Sequence, residues 1–162
     1  LCRAASGGVI GVHDPVTQSP STVHATALIV GHRGILIRGP SGSGKSRLAL
    51  SLLQSAGSGF VRLVGDDRIH LAAANGRLLM RPATALAGLI ELRGLGIVRL
   101  PFEPVAVAHL VVDLAAPDAA RIPDPAAQSV EIAEVRLARL PVAPGGDAFS
   151  QLLGFLQFGE AL

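Results

Sequence analysis

Gly39-Pro40-Ser41-Gly42-Ser43-Gly44-Lys45-Ser46 is the densest run of chemically useful residues in this chain. It satisfies the phosphate-loop pattern G-x-x-x-x-G-K-[ST] in full. Glycines at these positions let backbone N–H groups turn inward around phosphate oxygens. The N-terminus of a following helix adds a dipole that favours the same anion. Lys45 supplies a compact cation for the β and γ phosphates, and Ser46 a hydroxyl for Mg²⁺. The chain holds 14 Lys and Arg residues, and Lys45 is the only lysine among them. A planar guanidinium does not replace a compact ammonium at such a position. The pattern therefore points to nucleotide or polyphosphate binding. A plain Gly/Ser turn is the alternative, and it explains neither the single lysine nor the flanking elements.

Asp66 and Asp67 close an apolar run downstream of this loop. At a strand end both carboxylates can reach a site in front of a sheet. One then holds Mg²⁺ or its bound water, while the other takes a proton from an attacking hydroxyl. The bland reading is a solvated acidic turn. Gly88-Leu-Ile-Glu91-Leu-Arg93-Gly94-Leu-Gly96-Ile97 places one acid and one base in an apolar stretch broken by glycines. Glu91 as a Mg²⁺ ligand and Arg93 as a phosphate-neutralising cation fit this spacing. A bulged strand with a Glu–Arg surface pair fits it equally. Of the five histidines, His24 opens the strand before the phosphate-loop strand and so falls near the sheet end. His13 lies in the leader, and His32 and His70 fall in a turn and a hairpin. His109 reads as a half-buried core residue of an apolar strand.

The elements that must position these groups follow from periodicity. Residues 1–21 lack it and read as a flexible leader, leaving 22–162 as a single domain. Thr26–Val30 and Ile35–Ile37 form a hairpin about Gly31–Gly34. Ser46 to about Ala56 is an amphipathic helix, with Leu48 and Leu52 on one face and Gly57 ending it. Phe60–Val64 is a strand running into Asp66. Ile69–Met80 is a hairpin turning at Asn75-Gly76. Thr84–Glu91 is a short helix or a loop. Val105–Val112 is a long strand and 117–125 a loop. Val130–Val142 holds one or two strands, and Ala148–Phe158 a terminal amphipathic helix. Strand–helix–strand mixed with hairpins predicts an α/β fold with a mixed β-sheet.

Composition narrows the function classes. The chain has 162 residues, 49% of them hydrophobic and 16% charged, enough for one domain with a sizeable core. Aromatics make up 3%, with no Trp or Tyr, and the formal net charge is +2. Neither a base-stacking platform nor a dense basic patch is available, so nucleic acid is not an expected partner. No apolar run approaches the roughly 18 residues of a spanning helix, so no membrane role is expected. The single cysteine rules out an intrachain disulfide framework. A cytoplasmic location is the expectation.

Val23-His-Ala-Thr26, the loop Gly39–Ser46, Leu63-Val-Gly-Asp-Asp-Arg-Ile69 and Gly88–Ile97 together resemble the HPr kinase/phosphorylase family. The likeness runs from about Val23 to about Asp147, and the Gly88–Ile97 segment is its most specific part. It is a likeness to a short form consisting of the C-terminal P-loop catalytic domain, without the N-terminal domain of longer members. The resemblance implies a P-loop fold similar to the phosphoenolpyruvate carboxykinase core, commonly a homo-oligomer and hexameric. It implies ATP and Mg²⁺ as cofactors and HPr, the phosphocarrier of the sugar phosphotransferase system, as the protein substrate, phosphorylated on serine. Carried over residue by residue, Lys45 contacts phosphates, while Ser46, Asp66 and Glu91 hold Mg²⁺. Asp67 is the proton acceptor of the kinase direction, and His24 matches a functional histidine. Arg121 matches a functional arginine, although Ala120 stands where the family has Asp. Ala143 and Gly146 replace basic residues of a loop associated with dephosphorylation, and Asp147 replaces an Asn-like residue. Kinase activity without strong phosphorylase activity is the resulting expectation. A small-molecule kinase using Arg81, Arg93 and Arg99, and a nucleotide-dependent sensor without transfer activity, are the other readings that the phosphate loop permits.

Overall fold

The computed structural model describes residues 21–55, 57 and 59–159. Residues 1–20 of the expected leader lie outside this range, and Ser21 belongs to the first strand. The strands are β1 (Ser21–His24), β2 (Thr26–Val30), β3 (Arg33–Arg38), β4 (Val61–Gly65), β5 (Arg68–Ala74) and β6 (Arg77–Pro82). They continue with β7 (Leu89–Leu92), β8 (Gly96–Arg99), β9 (Ala106–Leu114), β10 (Ser129–Ile132) and β11 (Val135–Val142). The helices are α1 (Lys45–Ser55) and α2 (Ala148–Phe158), and two short 3₁₀ turns lie at Thr84–Leu86 and Pro125–Gln128.

The main sheet runs β1-β5-β6-β9-β3-β2-β4, with β11 added on β9 and β10 on β11. It is mixed. β9 is parallel to both β3 and β11, while hairpins supply the antiparallel pairs β2–β3, β5–β6 and β10–β11. Asn75 and Gly76 take positive φ at the β5–β6 turn, as a two-residue hairpin requires. The C-terminal ends of β3, β9 and β11 share one edge, because Arg38 lies opposite Asp113 and Asp113 opposite Pro141. In an α/β sheet this edge is where ligands bind. Three loops leave it: 39–44, 115–128 and 143–147.

Alternation along the central strands divides the core in two. Leu36 and Val111 face one layer with Ala27, Val64, Ile69 and Met80. Ile35, Ile37, Leu110 and Val112 face the other, where they meet Leu48, Ala49 and Leu52 of α1 and Leu152 of α2. Full burial of each such aliphatic side chain contributes about 1.5–3 kcal/mol. Helix α1 thus has its inner face fixed on the sheet directly behind the phosphate loop.

Expected and observed elements differ at Phe60–Val64 and at Thr84–Glu91. The strand expected at Phe60–Val64 starts one residue later and extends to Gly65, with Phe60 exposed. Thr84–Glu91 is helical only as the 3₁₀ turn Thr84–Leu86, and from Leu89 the chain enters a separate two-stranded hairpin, β7–β8, which begins in the Gly88–Ile97 segment and runs to Arg99. Val130–Val142 holds two strands, one of the two expected alternatives. His109 is an exposed side chain and not a half-buried core residue. Its Nδ1 accepts a hydrogen bond from the Gly34 N–H at 3.0 Å, beside the register shift between β3 and β9. A polar ring there satisfies a backbone donor that the irregular ladder leaves over.

At the ligand-facing edge, Asp113 lies between two arginines. Arg38 approaches it through Nε and Nη2, each at 2.7 Å, and Arg139 through Nε at 2.5 Å. Burial pushes the Asp113 carboxyl up, but hydrogen bonds and charge from Arg38 and Arg139 outweigh that and hold it below its usual 3.8. Its folded pKa is thus depressed relative to the unfolded chain. The stability it contributes is complete above about pH 4 and is lost as pH falls through the lower folded value. Asp113→Asn, which leaves two guanidinium groups facing a neutral amide, is expected to cost about 3 kcal/mol at pH 7. It should also flatten the acid limb of stability, and urea unfolding between pH 7 and pH 3 measures both effects.

Candidate active site

The phosphate loop connects the end of β3 to the start of α1, as its spacing requires. Gly39 has φ of +151°, and a Cβ there would stand 2.6 Å from Ser43 Oγ and 2.9 Å from Leu114 O. Only glycine fits that entry. The first turn of α1 carries no acidic residue, so its positive end is left for an anion. Lys45 is 7% exposed, and its Nζ donates to Gly39 O at 2.9 Å and Pro40 O at 3.1 Å. Burial lowers the pKa of this amine, against the opposing charges of Asp66 and Asp67. Two of its three donors are used, and the third has no partner among the described residues. Ser43 Oγ is buried in the same loop and likewise has no partner among the described residues. The cradle thus holds polar groups that the fold itself does not satisfy, as a phosphate-binding loop requires.

Asp66 follows β4 and is 6% exposed. Thr26 Oγ1 donates to its Oδ1 at 2.5 Å. Ser46 Oγ lies 3.1 Å from Oδ1 and 3.0 Å from Oδ2, and the Glu91 N–H donates to Oδ2 at 3.3 Å. A carboxylate and a hydroxyl beside a phosphate loop form the hard-oxygen set that suits Mg²⁺, which keeps several waters and needs few protein ligands. The residues present therefore fit that ion. At Glu91 the recorded contact is the backbone N–H; the residue is exposed, in β7.

Asp67 occupies the left-handed region, with φ of 67°. Aspartate tolerates it better than most residues. The resulting turn gives two adjacent carboxylates different surroundings: Asp66 is buried, whereas the Asp67 side chain is 64% exposed. His24 Nε2 lies 3.3 Å from Asp67 Oδ1 and is itself half exposed. His24 and Thr26 are two residues apart where the chain passes from β1 to β2, and they mate with Asp67 and Asp66 respectively. A cavity of about 350 Å³ opens there, lined by Thr22, Val23, His24, Asp67 and Arg68.

The structure therefore brings together His24, the loop Gly39–Ser46, Asp66, Asp67 and the backbone of Glu91. It does not bring Arg121 into hydrogen bonding or ion pairing with them among the described residues; this exposed residue lies in the 115–128 loop. Arg93 forms no ion pair with Glu91 among the described residues. Thr26 is the contributor that pattern reading missed. Its position at the head of an apolar run gives no sign that its hydroxyl meets a buried acid.

A family model described as the HPr serine kinase C-terminal domain matches residues 17–103, more than half of the chain. The chain belongs to this family. The HPr kinase/phosphorylase of Clostridium tetani is 38% identical over 84 residues, which are 51% of this chain and 26% of that protein. That of Streptococcus uberis is 35% identical over 94 residues, 57% of this chain and 29% of that protein. The match thus spans little more than a quarter of these relatives. The solved structure of the HPr(Ser) kinase/phosphatase from Coxiella burnetii superposes with a TM-score of 0.70 at 24% identity. It covers 86% of this chain and 95% of that one. The mixed-sheet α/β fold is therefore the one seen in that protein. No helix among the described residues is long and apolar enough to cross a membrane.

Thr26→Val keeps the volume of the side chain and removes its donor to Asp66. It should lower stability by about 2 kcal/mol, the typical worth of a buried hydrogen bond to a charged group. Denaturant midpoints of the two proteins test this. An unchanged midpoint means that the Thr26 hydroxyl does not support the carboxylate.

Proposed function

We propose that this domain is a serine protein kinase that uses ATP and Mg²⁺ to phosphorylate HPr. One observation carries the reading: the phosphate loop and Asp66 meet through Ser46, while Asp67, one residue on, faces a solvent-open cavity beside His24. Membership of the HPr serine kinase C-terminal domain family supports the choice of substrate.

In the proposed mechanism Lys45 exchanges its carbonyl partners for β and γ phosphate oxygens, and the loop amides orient the γ phosphate. Ser46 and Asp66 would hold Mg²⁺, with Glu91 as a further ligand. Bound there, the ion neutralises charge on the phosphates during transfer. Asp67 accepts the proton of the substrate serine as its oxygen attacks. Its exposure suits a group that must meet an incoming protein side chain, and the buried Asp66 suits the metal. His24 Nε2 orients the Asp67 carboxylate. Arg121 would neutralise phosphate charge from the neighbouring loop. The site also lies on a chain read as a cytoplasmic homo-oligomer, with residues 22–162 as its single catalytic domain.

The reverse reaction, release of the serine phosphate by inorganic phosphate, is expected to be weak. Ala143 and Gly146 bring no cation to the 143–147 loop. Asp147 is engaged in capping α2, accepting from the Ser150 N–H at 3.1 Å and hydroxyl at 2.6 Å. A carboxylate there opposes a second anion.

Incubation with radiolabelled ATP, Mg²⁺ and HPr, followed by mapping of the modified residue, tests the reading. Label on one serine of HPr is expected. Lys45→Ala should abolish it, with a transfer rate at least about a hundredfold lower, while circular dichroism shows the fold retained. Label that reaches no acceptor, or a fully active Lys45→Ala protein, contradicts the proposal. A phosphate-dependent release rate comparable to the kinase rate contradicts the expectation for the reverse direction.

A further inference from the structure

The guanidinium of Arg139, on β11, is shared among three partners. Its Nε donates to Asp113 Oδ2 at 2.5 Å. Nη1 and Nη2 form a two-pronged contact with Asp118, at 2.6 Å to Oδ2 and 3.0 Å to Oδ1. Nη1 also donates to Ala127 O at 2.9 Å. Asp118 and Ala127 stand on opposite legs of the loop that leaves β9 and returns at β10. One side chain thus fastens both legs to the sheet. Between the fastened points lie Arg121 and Ile122, the latter 85% exposed. On its other side Asp113 is gripped by Arg38, the residue directly before Gly39. A continuous line of charge-assisted contacts therefore runs from the phosphate loop, through Arg38, Asp113 and Arg139, to the neck of the loop bearing Arg121.

We propose that Arg139 and Asp118 are positioning residues: they hold the Arg121 loop at the sheet edge that carries the phosphate loop. The consequence for catalysis rests on the reading of Arg121 given above. The physical need is entropic. Residues 115–124 carry no helix or strand; such a segment samples many positions, and fixing its neck removes most of them before substrate arrives. Only a guanidinium meets the geometry, because a lysine cannot offer a side-on Nε and a terminal fork together. Asp118 is the leg that can be released without stranding a buried charge, since Arg139 keeps Asp113 and the Ala127 carbonyl.

Asp118→Ala is the informative variant, read in two ways. Brief trypsin treatment cuts after Arg121 at a rate that reports how often the loop leaves its place. Kinetics of phosphoryl transfer to HPr, for wild type, Asp118→Ala, Arg121→Ala and the double variant, report whether that place matters. We expect cutting about fivefold faster in Asp118→Ala, the scale of one lost ion pair at a partly exposed neck. We expect kcat to fall by a similar factor with KM for the nucleotide unchanged. The double variant should match Arg121→Ala alone, because Asp118 acts only through Arg121. Unchanged cutting overturns the proposal. So does faster cutting with unaltered kcat, or with additive losses in the double variant. If the wild-type domain transfers no phosphate to HPr, the functional reading fails on its own, and the cutting rates alone decide whether Asp118 and Arg139 hold the loop.

Discussion

A buried carboxylate, Asp66, is the constraint on which the rest of this site depends. A carboxyl group at 6% exposure is tolerated only when its oxygens are occupied. Here they accept from Thr26 of β2, Ser46 of α1 and the backbone of Glu91 in β7. Those three donors come from three separate elements. Satisfying one carboxylate therefore fixes the start of the phosphate-loop helix, the strand beside it and the accessory hairpin in mutual register. The same contact places the hydroxyl that follows Lys45 against an acid, the arrangement that a metal-bound nucleotide needs.

A second charged cluster works at the neighbouring strand ends. Asp113 joins Arg38 to Arg139, across the C-terminal ends of three parallel strands. Strand ends at this edge leave carbonyls and loops without a neighbouring element, and ion pairs supply the fixation that a hydrophobic core cannot reach. The two clusters differ in what they hold. Asp66 organises the groups proposed to meet phosphate and Mg²⁺, whereas Asp113 and its arginines organise the backbone from which the loops depart.

Much of this was legible in the residues. The hairpin 26–38, the phosphate loop, α1, the Asn75-Gly76 turn and α2 follow from short-range rules: turn chemistry, helical spacing and the steric freedom of glycine. That an acid closing the strand after the phosphate-loop helix would stand near the loop was also anticipated, although the residues alone left Asp66 and Asp67 equally eligible and only the family resemblance favoured Asp66. What escaped depended on long-range register. Thr26 meets Asp66 only because β2 lies between β3 and β4, which its sequence does not announce. His109 sits in an apolar run, yet a register shift turns it to the surface to serve Gly34. The Arg38–Asp113–Arg139 group joins residues 75 and 26 positions apart, and no pattern in one sequence links them. The family resemblance implied different roles for Asp66 and Asp67, but their different burial follows from the left-handed turn at Asp67, visible only in the backbone.

Asp66 is proposed as the fixed carboxylate through which Mg²⁺ joins a nucleotide to the phosphate loop. Calorimetric titration with ATP, with and without Mg²⁺, of the wild-type chain and of Asp66→Asn tests it most directly. The account predicts that Mg²⁺ tightens binding by about tenfold or more in the wild type, some 1.4 kcal/mol, and has little effect in Asp66→Asn. Equal enhancement in the two proteins, or no nucleotide binding by the wild type under either condition, would contradict it.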